Sequence, residues 1–120
     1  MDARTKEAIR YLGYGRHAVD DHTLALVESC FEELSHVACG RIVYRIVELE
    51  FPGNERILLG NLDIHSKNLC KNLTGCKKAV LLGATLGPKV DLLLRKYSIG
   101  DMARVVTLQA CAAAMLEEYL

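Results

Sequence analysis

The chain has 120 residues, of which 51% are hydrophobic and 25% are charged, a balance that excludes a disordered segment and a chain made mostly of membrane spans. Its 15 basic and 15 acidic residues give a formal net charge of zero, so no overall field draws it toward nucleic acid or anionic lipid. We therefore expect a single domain over residues 1–120, with neither nucleic acid nor a membrane among its partners.

The first third of the chain predicts two helices. Apolar residues within 3–12 fall on one side of a short helix that ends at Gly13. A second helix follows Asp20 or Asp21, both suitable N-cap residues, and stops before Gly40. Its apolar residues recur at spacings of three and four, which predicts an inward side made of Leu24, Val27, Phe31, Leu34 and Ala38.

The middle of the chain predicts β structure. Residues 41–51 are dense in β-branched and aromatic side chains and run into the turn residues Pro52-Gly53-Asn54, so we expect a hairpin near 41–60. The continuous apolar run 79–84 is typical of a strand buried on both faces. It predicts the central strand, near 78–84, of a small antiparallel or mixed sheet.

Three further helices complete an α+β fold of about five helices. Ser66 can cap a short helix over 66–73, and Pro88 can begin another. The last helix, over 101–120, lacks Gly and Pro, and its unbroken apolar residues 110–116 predict burial around most of its circumference. In the helix that starts at Pro88, the residues predicted to point inward are Val90, Leu92, Leu93 and Leu94.

The five cysteines are an odd number, and no apolar signal segment follows Met1, which together indicate a reduced, cytoplasmic protein. Most of these thiols are expected to be small core residues. Two segments approach metal-ligand spacing, but neither contains the paired Cys-x2-Cys of zinc sites, and we predict no metal site. They are Cys30-x5-His36-x2-Cys39 and His65-x4-Cys70-x5-Cys76.

The sequence contains no segment that matches a known catalytic or phosphate-binding motif well. Gly83-x3-Gly87-Pro88-Lys89 falls where a strand meets a helix, but it lacks the spacing of a phosphate loop and is expected to be a plain turn. No nucleophile elbow Gly-x-Ser-x-Gly is present, so no self-contained catalytic centre is predicted. The scattered candidates for acid or base work are His17, His22, His36 and His65.

Several segments together resemble the small bacterial proteins related to the activation (reactivation) domain of vitamin B12-dependent methionine synthase. The most specific is 84–91, Ala-Thr-Leu-Gly-Pro-Lys-Val-Asp. The resemblance covers nearly the whole chain but about the first half of those proteins, so the chain is expected to be the N-terminal part of a longer one. The other segments are 7–14, 43–46, 76–83, 101–104 and 109–112.

The resemblance implies a component of a reactivation factor, which covers the oxidised cobalamin of a methionine synthase and presents S-adenosylmethionine to it. A flavodoxin-like donor supplies the electron, and the sulfonium methyl group restores methylcobalamin. Such a module contributes position rather than an acid or a base. The alternative is a non-catalytic interaction module that docks on a corrinoid protein or self-associates through its last helix.

Two expectations about binding follow. The family's S-adenosylmethionine motif, Arg-x-x-x-Gly-Tyr, belongs to the half that these residues do not match, and Arg10-Tyr11-Leu12-Gly13-Tyr14 is one residue short of it. Neither S-adenosylmethionine nor cobalamin is therefore expected to bind this chain alone tightly.

The apolar residues around the last helix predict a homodimer or another intermolecular contact there. They are Val105, Val106, Leu108, Cys111, Met115, Leu116 and Tyr119.

Overall fold

The computed structural model describes residues 2–14 and 18–120, and they form the α+β fold that the sequence predicts. Within these residues the helices are α1 (Ala3–Tyr11), α2 (Asp21–Val37), α3 (Lys67–Asn72), α4 (Pro88–Tyr97) and α5 (Met102–Glu117). The strands are β1 (Arg41–Gly53), β2 (Arg56–Leu59), β3 (Leu62–His65) and β4 (Lys78–Thr85).

Short polar side chains fix where most of the helices begin. Asp20 accepts a hydrogen bond from the Thr23 backbone N–H at 2.6 Å, which satisfies one of the unpaired donors in the first turn of α2. Asp2, Ser66 and Asp101 do the same for α1, α3 and α5. The predicted caps at Asp20 and Ser66 are therefore confirmed.

The chain divides into two compact units, and the first, the helical unit, contains the chain up to Ile42 and Ala84–Leu120. Its helix α5 contacts α1, α2 and α4, and the fully buried side chains of this unit include Leu34 and Leu108. Three helices of the same chain therefore pack against α5. The buried core of this unit consists of Ala8, Val27, Cys30, Phe31, Leu34, Leu86, Val90, Leu93, Leu108, Cys111 and Ala114.

The second unit, the sheet unit, contains Val43–Gly83. Its antiparallel sheet has the strand order β3-β2-β1-β4. The predicted hairpin is confirmed, because Leu49 pairs with Leu59 and the tight turn places Asn54 and Glu55 at positive φ. Helix α3 packs beside β2. The buried core of this unit consists of Val47, Leu49, Ile57 and Leu59.

The predicted central strand exists, but its predicted position is wrong, since β4 lies at an edge of the sheet. Its residues Ala79 and Leu81 pack on the core of the sheet unit. On the opposite face, Val80 is 60% exposed and Leu82 is 42% exposed. A continuous apolar run in the sequence therefore marks a strand buried on one face only, and β3 was not predicted at all.

Three other expectations need correction. Leu92 is exposed, because α4 buries Val90 and Leu93 and turns Leu92 away from that stripe. Helix α5 ends at Glu117 rather than at Leu120. Of the five cysteines, Cys30 and Cys111 are buried, Cys70 is half-buried, and Cys39 and Cys76 are exposed, so most of the thiols are not core residues.

Candidate functional site

A cleft of about 270 Å³ opens in the helical unit where the end of β4 turns into α4 and where α4 faces α5. The segment 84–91 forms one wall of it, and residues of α5 form the other. Two of the segments that carry the family resemblance, 84–91 and 109–112, thus line the same cavity. The lining residues are Ala84, Thr85, Leu86, Gly87, Val90, Asp91, Leu94, Gln109, Ala112, Ala113 and Leu116.

Two hydrogen bonds and a close backbone approach hold the turn that makes the first wall. Gly87 has a φ of +93°, and its N–H donates to the Thr85 hydroxyl oxygen at 3.1 Å. The Cys39 N–H donates to the Leu86 carbonyl oxygen at 2.7 Å. A Cβ at Gly87 would lie 3.1 Å from the Cys39 carbonyl oxygen, so glycine permits this close approach.

The same turn also bears on whether residues 83–89 could form a phosphate-binding loop. The Gly87 N–H is already bonded within the turn, and Pro88, the first residue of α4, has no N–H to offer. Two consecutive positions at the start of α4 therefore offer no free N–H to a phosphate. The expected plain strand-to-helix turn is confirmed.

The second wall is one stripe of α5. Gln109, Ala112, Ala113 and Leu116 follow the i, i+3, i+4, i+7 spacing that places side chains on one side of a helix. Because the two alanines have only methyl side chains, they do not fill the space between α4 and α5, and the cleft remains open. Ala113 and Leu116 belong to none of the segments that carry the resemblance, and the helical spacing from Gln109 is the signal that could have found them.

The chemistry of the cleft is mostly apolar with a few polar groups. The Thr85 hydroxyl, the Asp91 carboxylate and the Gln109 amide supply its polar side-chain atoms. One carboxylate and one amide can orient a ligand or a partner, but they do not form a paired acid and base. Among the described residues no three His, Cys, Asp or Glu side chains gather as a metal site.

The cleft is small for a ligand site. Sites for drug-sized ligands enclose about 300–1,000 Å³, and this cleft provides about 270 Å³. A cleft of this size can take an apolar group of a partner or part of a larger ligand.

We expect no tight binding of S-adenosylmethionine or cobalamin to this chain, because its residues lack the motif Arg-x-x-x-Gly-Tyr. Calorimetric titration of the protein with S-adenosylmethionine, and separately with methylcobalamin, should give no submicromolar affinity. S-adenosylhomocysteine serves as the matched ligand without the sulfonium charge, and it should behave in the same way. Submicromolar binding of any of the three would contradict this expectation.

A polar network next to the core fixes α5 against α2 and α4. Arg104 donates through Nε to the Glu33 carboxylate at 3.0 Å, and Tyr97 donates its hydroxyl to the same carboxylate at 2.7 Å. The Arg104 guanidinium also lies 5.0 Å from the centroid of the Tyr97 ring and donates to the Ser29 hydroxyl at 3.1 Å. This network involves residues of 101–104, another segment of the resemblance, and it supports the second wall of the cleft.

The ionisation of this network is settled by its hydrogen bonds. Burial by itself raises the pKa of the Glu33 carboxyl, but the hydrogen bonds from Tyr97 and Arg104 outweigh it and hold that pKa below its usual value. The hydrogen bond to Glu33 raises the pKa of the Tyr97 hydroxyl. Glu33 is thus ionised and Tyr97 is neutral at pH 7. These are the states in which the two side chains hold α5 against α2 and α4.

The two buried cysteines lie where α2 meets α5. The Cys111 thiol donates to the Val27 carbonyl oxygen at 3.7 Å, and the neighbouring Cys30 thiol, together with burial, raises the pKa of Cys111. A thiol with a raised pKa is a poor nucleophile at neutral pH. Cys111 is therefore a packing residue beneath the cleft wall.

The histidines are not brought to the cleft. His22 lies in the first turn of α2, His36 in its last turn, and His65 ends β3 in the sheet unit. His17 lies outside the described residues. The three described histidines thus occupy separate places and do not line the cavity.

The chain was compared with models of protein families, with curated proteins and with solved structures. None of these comparisons found a match. In the described parts of the chain, every helix falls short of the length and apolarity that crossing a membrane requires.

Proposed function

We propose that this chain is a component of a reactivation factor for cobalamin-dependent methionine synthase, acting in the cytoplasm on a separate synthase. In that role it supports reductive methylation of oxidised cobalamin with S-adenosylmethionine, and a flavodoxin-like protein supplies the electron. The observation that carries the proposal is that 84–91 and 109–112, separated in the sequence, line one cleft. Five free cysteines agree with a reducing compartment.

The contribution of this chain is to hold a surface against the corrinoid partner. The cleft floor, formed by side chains such as Val90 and Leu94, can receive an apolar group of the partner, and the Asp91 carboxylate and Gln109 amide can fix its orientation. The pinned turn at Gly87 keeps the first wall in place before the partner arrives, which lowers the entropy cost of association.

The proposal is tested with a purified methionine synthase whose cobalamin has been oxidised to the inactive cob(II)alamin form. S-adenosylmethionine and reduced flavodoxin are added with and without this chain, and the visible absorbance of cob(II)alamin is followed. We expect the chain to speed the loss of that absorbance. An unchanged rate over a range of chain concentrations would refute the proposal.

A cleft variant with a matched control connects the effect to the site. Ala113→Leu fills the cleft from α5 and should reduce the stimulation about tenfold or more, since one misplaced group at a binding surface can cost that much. Leu92→Ala changes an exposed residue of the adjoining helix that does not line the cleft, and it should leave the stimulation unchanged.

The same samples distinguish the alternative, a non-catalytic interaction module. Binding of the chain to the synthase can be measured by sedimentation in the absence of an electron donor. Binding that Ala113→Leu weakens, without any change in the rate of cob(II)alamin loss, would favour the interaction module over the reactivation component.

A further inference from the structure

The free edge of the sheet unit is a second surface, independent of the cleft. Within the described residues β4 has a neighbouring strand on one side only, which is β1. After Lys78 the strand carries no charged residue and no proline through Thr85. An uncharged edge strand presents unpaired backbone groups to other chains, and proteins usually block such an edge with charges, bulges or short strands.

The other edge of the same sheet is protected in this usual way. Strand β3 has four residues, and its Asp63 carboxylate forms an ion pair with Arg56 of the adjoining strand. The contrast between the two edge strands favours β4 as the strand open to pairing.

Two contacts define how β4 lies against β1. The Leu49 N–H donates to the Lys77 carbonyl oxygen at 2.9 Å, and a Cβ at Gly83 would lie 3.2 Å from Val43 Cγ2. Both contacts fit one antiparallel register, in which Tyr44 is opposite Leu82 and Ile46 is opposite Val80.

This register places four apolar side chains together on the face away from the core. Tyr44 is 70% exposed and Ile46 is 61% exposed, beside Val80 and Leu82 on the neighbouring strand. It also determines which backbone groups of β4 are free. Because alternate residues bond to each side of an antiparallel strand, Val80 and Leu82 direct their N–H and C=O groups toward the open edge.

We propose that two copies of this chain associate edge to edge through β4, in antiparallel register about a two-fold axis at Leu81. Val80 of one copy then pairs with Leu82 of the other. In this pairing the free N–H and C=O groups of the two edge strands form hydrogen bonds with each other. The two exposed apolar blocks become one continuous strip across the joined sheets. Lys78 comes opposite Ala84 of the second copy, so no like charges meet.

A second copy fits this edge better than an unrelated peptide because it satisfies the free backbone groups and also continues the exposed apolar strip. The one charged residue of the strand, Lys78, meets no like charge in this pairing. The same two-fold axis brings Leu81 of each copy face to face on the core side, where each already packs beside Ala79. This association differs from one through α5, which three helices of its own chain already contact.

Sedimentation of the full chain over micromolar concentrations tests the association. We expect a monomer–dimer equilibrium whose dissociation constant rises about tenfold or more in Val80→Lys, since lysine on an edge strand opposes pairing. The matched control is Leu92→Lys, because Leu92 is 59% exposed and Val80 is 60% exposed in the native chain. The control should sediment as the native chain does, and circular dichroism should show both variants folded.

Disulfide trapping tests the register. In a chain whose exposed Cys39 and Cys76 are replaced by serine, Leu81→Cys should form a disulfide-linked dimer on mild oxidation. The two Leu81 positions form a non-hydrogen-bonded pair, with Cα atoms about 4.5 Å apart, within disulfide range. Ala79→Cys lies opposite Gly83 of the second copy and should not be trapped.

Three results would overturn the proposal. One is a chain that remains monomeric over the whole concentration range. Another is a dimer that Val80→Lys leaves intact or that Leu116→Glu dissociates instead. The third is equal trapping of the Leu81→Cys and Ala79→Cys chains.

Discussion

Substituting Gly87 with valine is expected to lower the free energy of unfolding by about 2–4 kcal/mol. The residue has a φ of +93°, a conformation that a β-branched side chain rarely adopts. Its Cβ would also lie 3.1 Å from the Cys39 carbonyl oxygen, and Cys39 is tied to this turn by the bond from its N–H to the Leu86 carbonyl. Cys39 therefore cannot move away from a valine at position 87 without losing that hydrogen bond. Urea denaturation followed by circular dichroism gives the free energy of unfolding.

Three alanine substitutions separate the two causes of this loss. Gly100→Ala has open space and an ordinary φ, so it should change the free energy of unfolding by no more than about 0.5 kcal/mol. Gly75→Ala has open space but a φ of +87°, so it should cost about 1–2 kcal/mol through backbone strain alone. Gly87→Ala adds the contact with Cys39 to the same strain. Equal losses at Gly75 and Gly87 would show that the close approach contributes nothing.

The features that the sequence predicts well depend on a few neighbouring residues. Asp20 and Ser66 are N-caps because their side chains reach a backbone N–H three residues ahead. The hairpin turn follows from Pro52-Gly53-Asn54, because glycine and asparagine tolerate the positive φ that Gly53 and Asn54 adopt. In each of these places the physical cause lies within one turn of chain, so a single sequence reveals it.

The features that the sequence does not predict depend on the arrangement of distant segments. The apolar run of β4 is compatible with a central or an edge strand, and the neighbour of that strand in the sheet decides between them. Leu92 is a different case, because Val90, Leu93 and Leu94 already satisfy the helical period and Leu92 falls outside it. Its exposure could have been predicted from the spacing.

One wall of the candidate cleft could be predicted from the sequence, and the other could not. The sequence analysis singles out residues 84–91, but the opposite wall requires α4 and α5 to be placed side by side. The Glu33–Arg104 contact joins residues 71 positions apart and leaves no local signal in the sequence. The same distance in sequence makes this pair a test of how α2 and α5 are held together.

Glu33→Gln is expected to lower the free energy of unfolding by about 1.5–3 kcal/mol at pH 7, because it removes a charged acceptor of hydrogen bonds. The variant leaves the Arg104 side chain, 16% exposed, without its ionic partner. Glu118→Gln is the matched control. Its ion pair with Arg4 involves side chains 37% and 48% exposed, so its loss should cost about 0–1 kcal/mol.

The pH dependence gives this pair a second and independent test. The folded-state pKa of Glu33 lies below the unfolded value of 4.5, so its ionised form stabilises the fold at pH values above 4.5. That stabilisation is lost as the pH falls below 4.5 and through the lowered folded-state pKa, where the carboxylate takes up a proton. The difference in free energy of unfolding between the native chain and Glu33→Gln should therefore be constant from neutral pH down to about pH 5 and shrink below it. A difference that stays constant in acid would mean that Glu33 acts through the shape of its side chain and not through its charge.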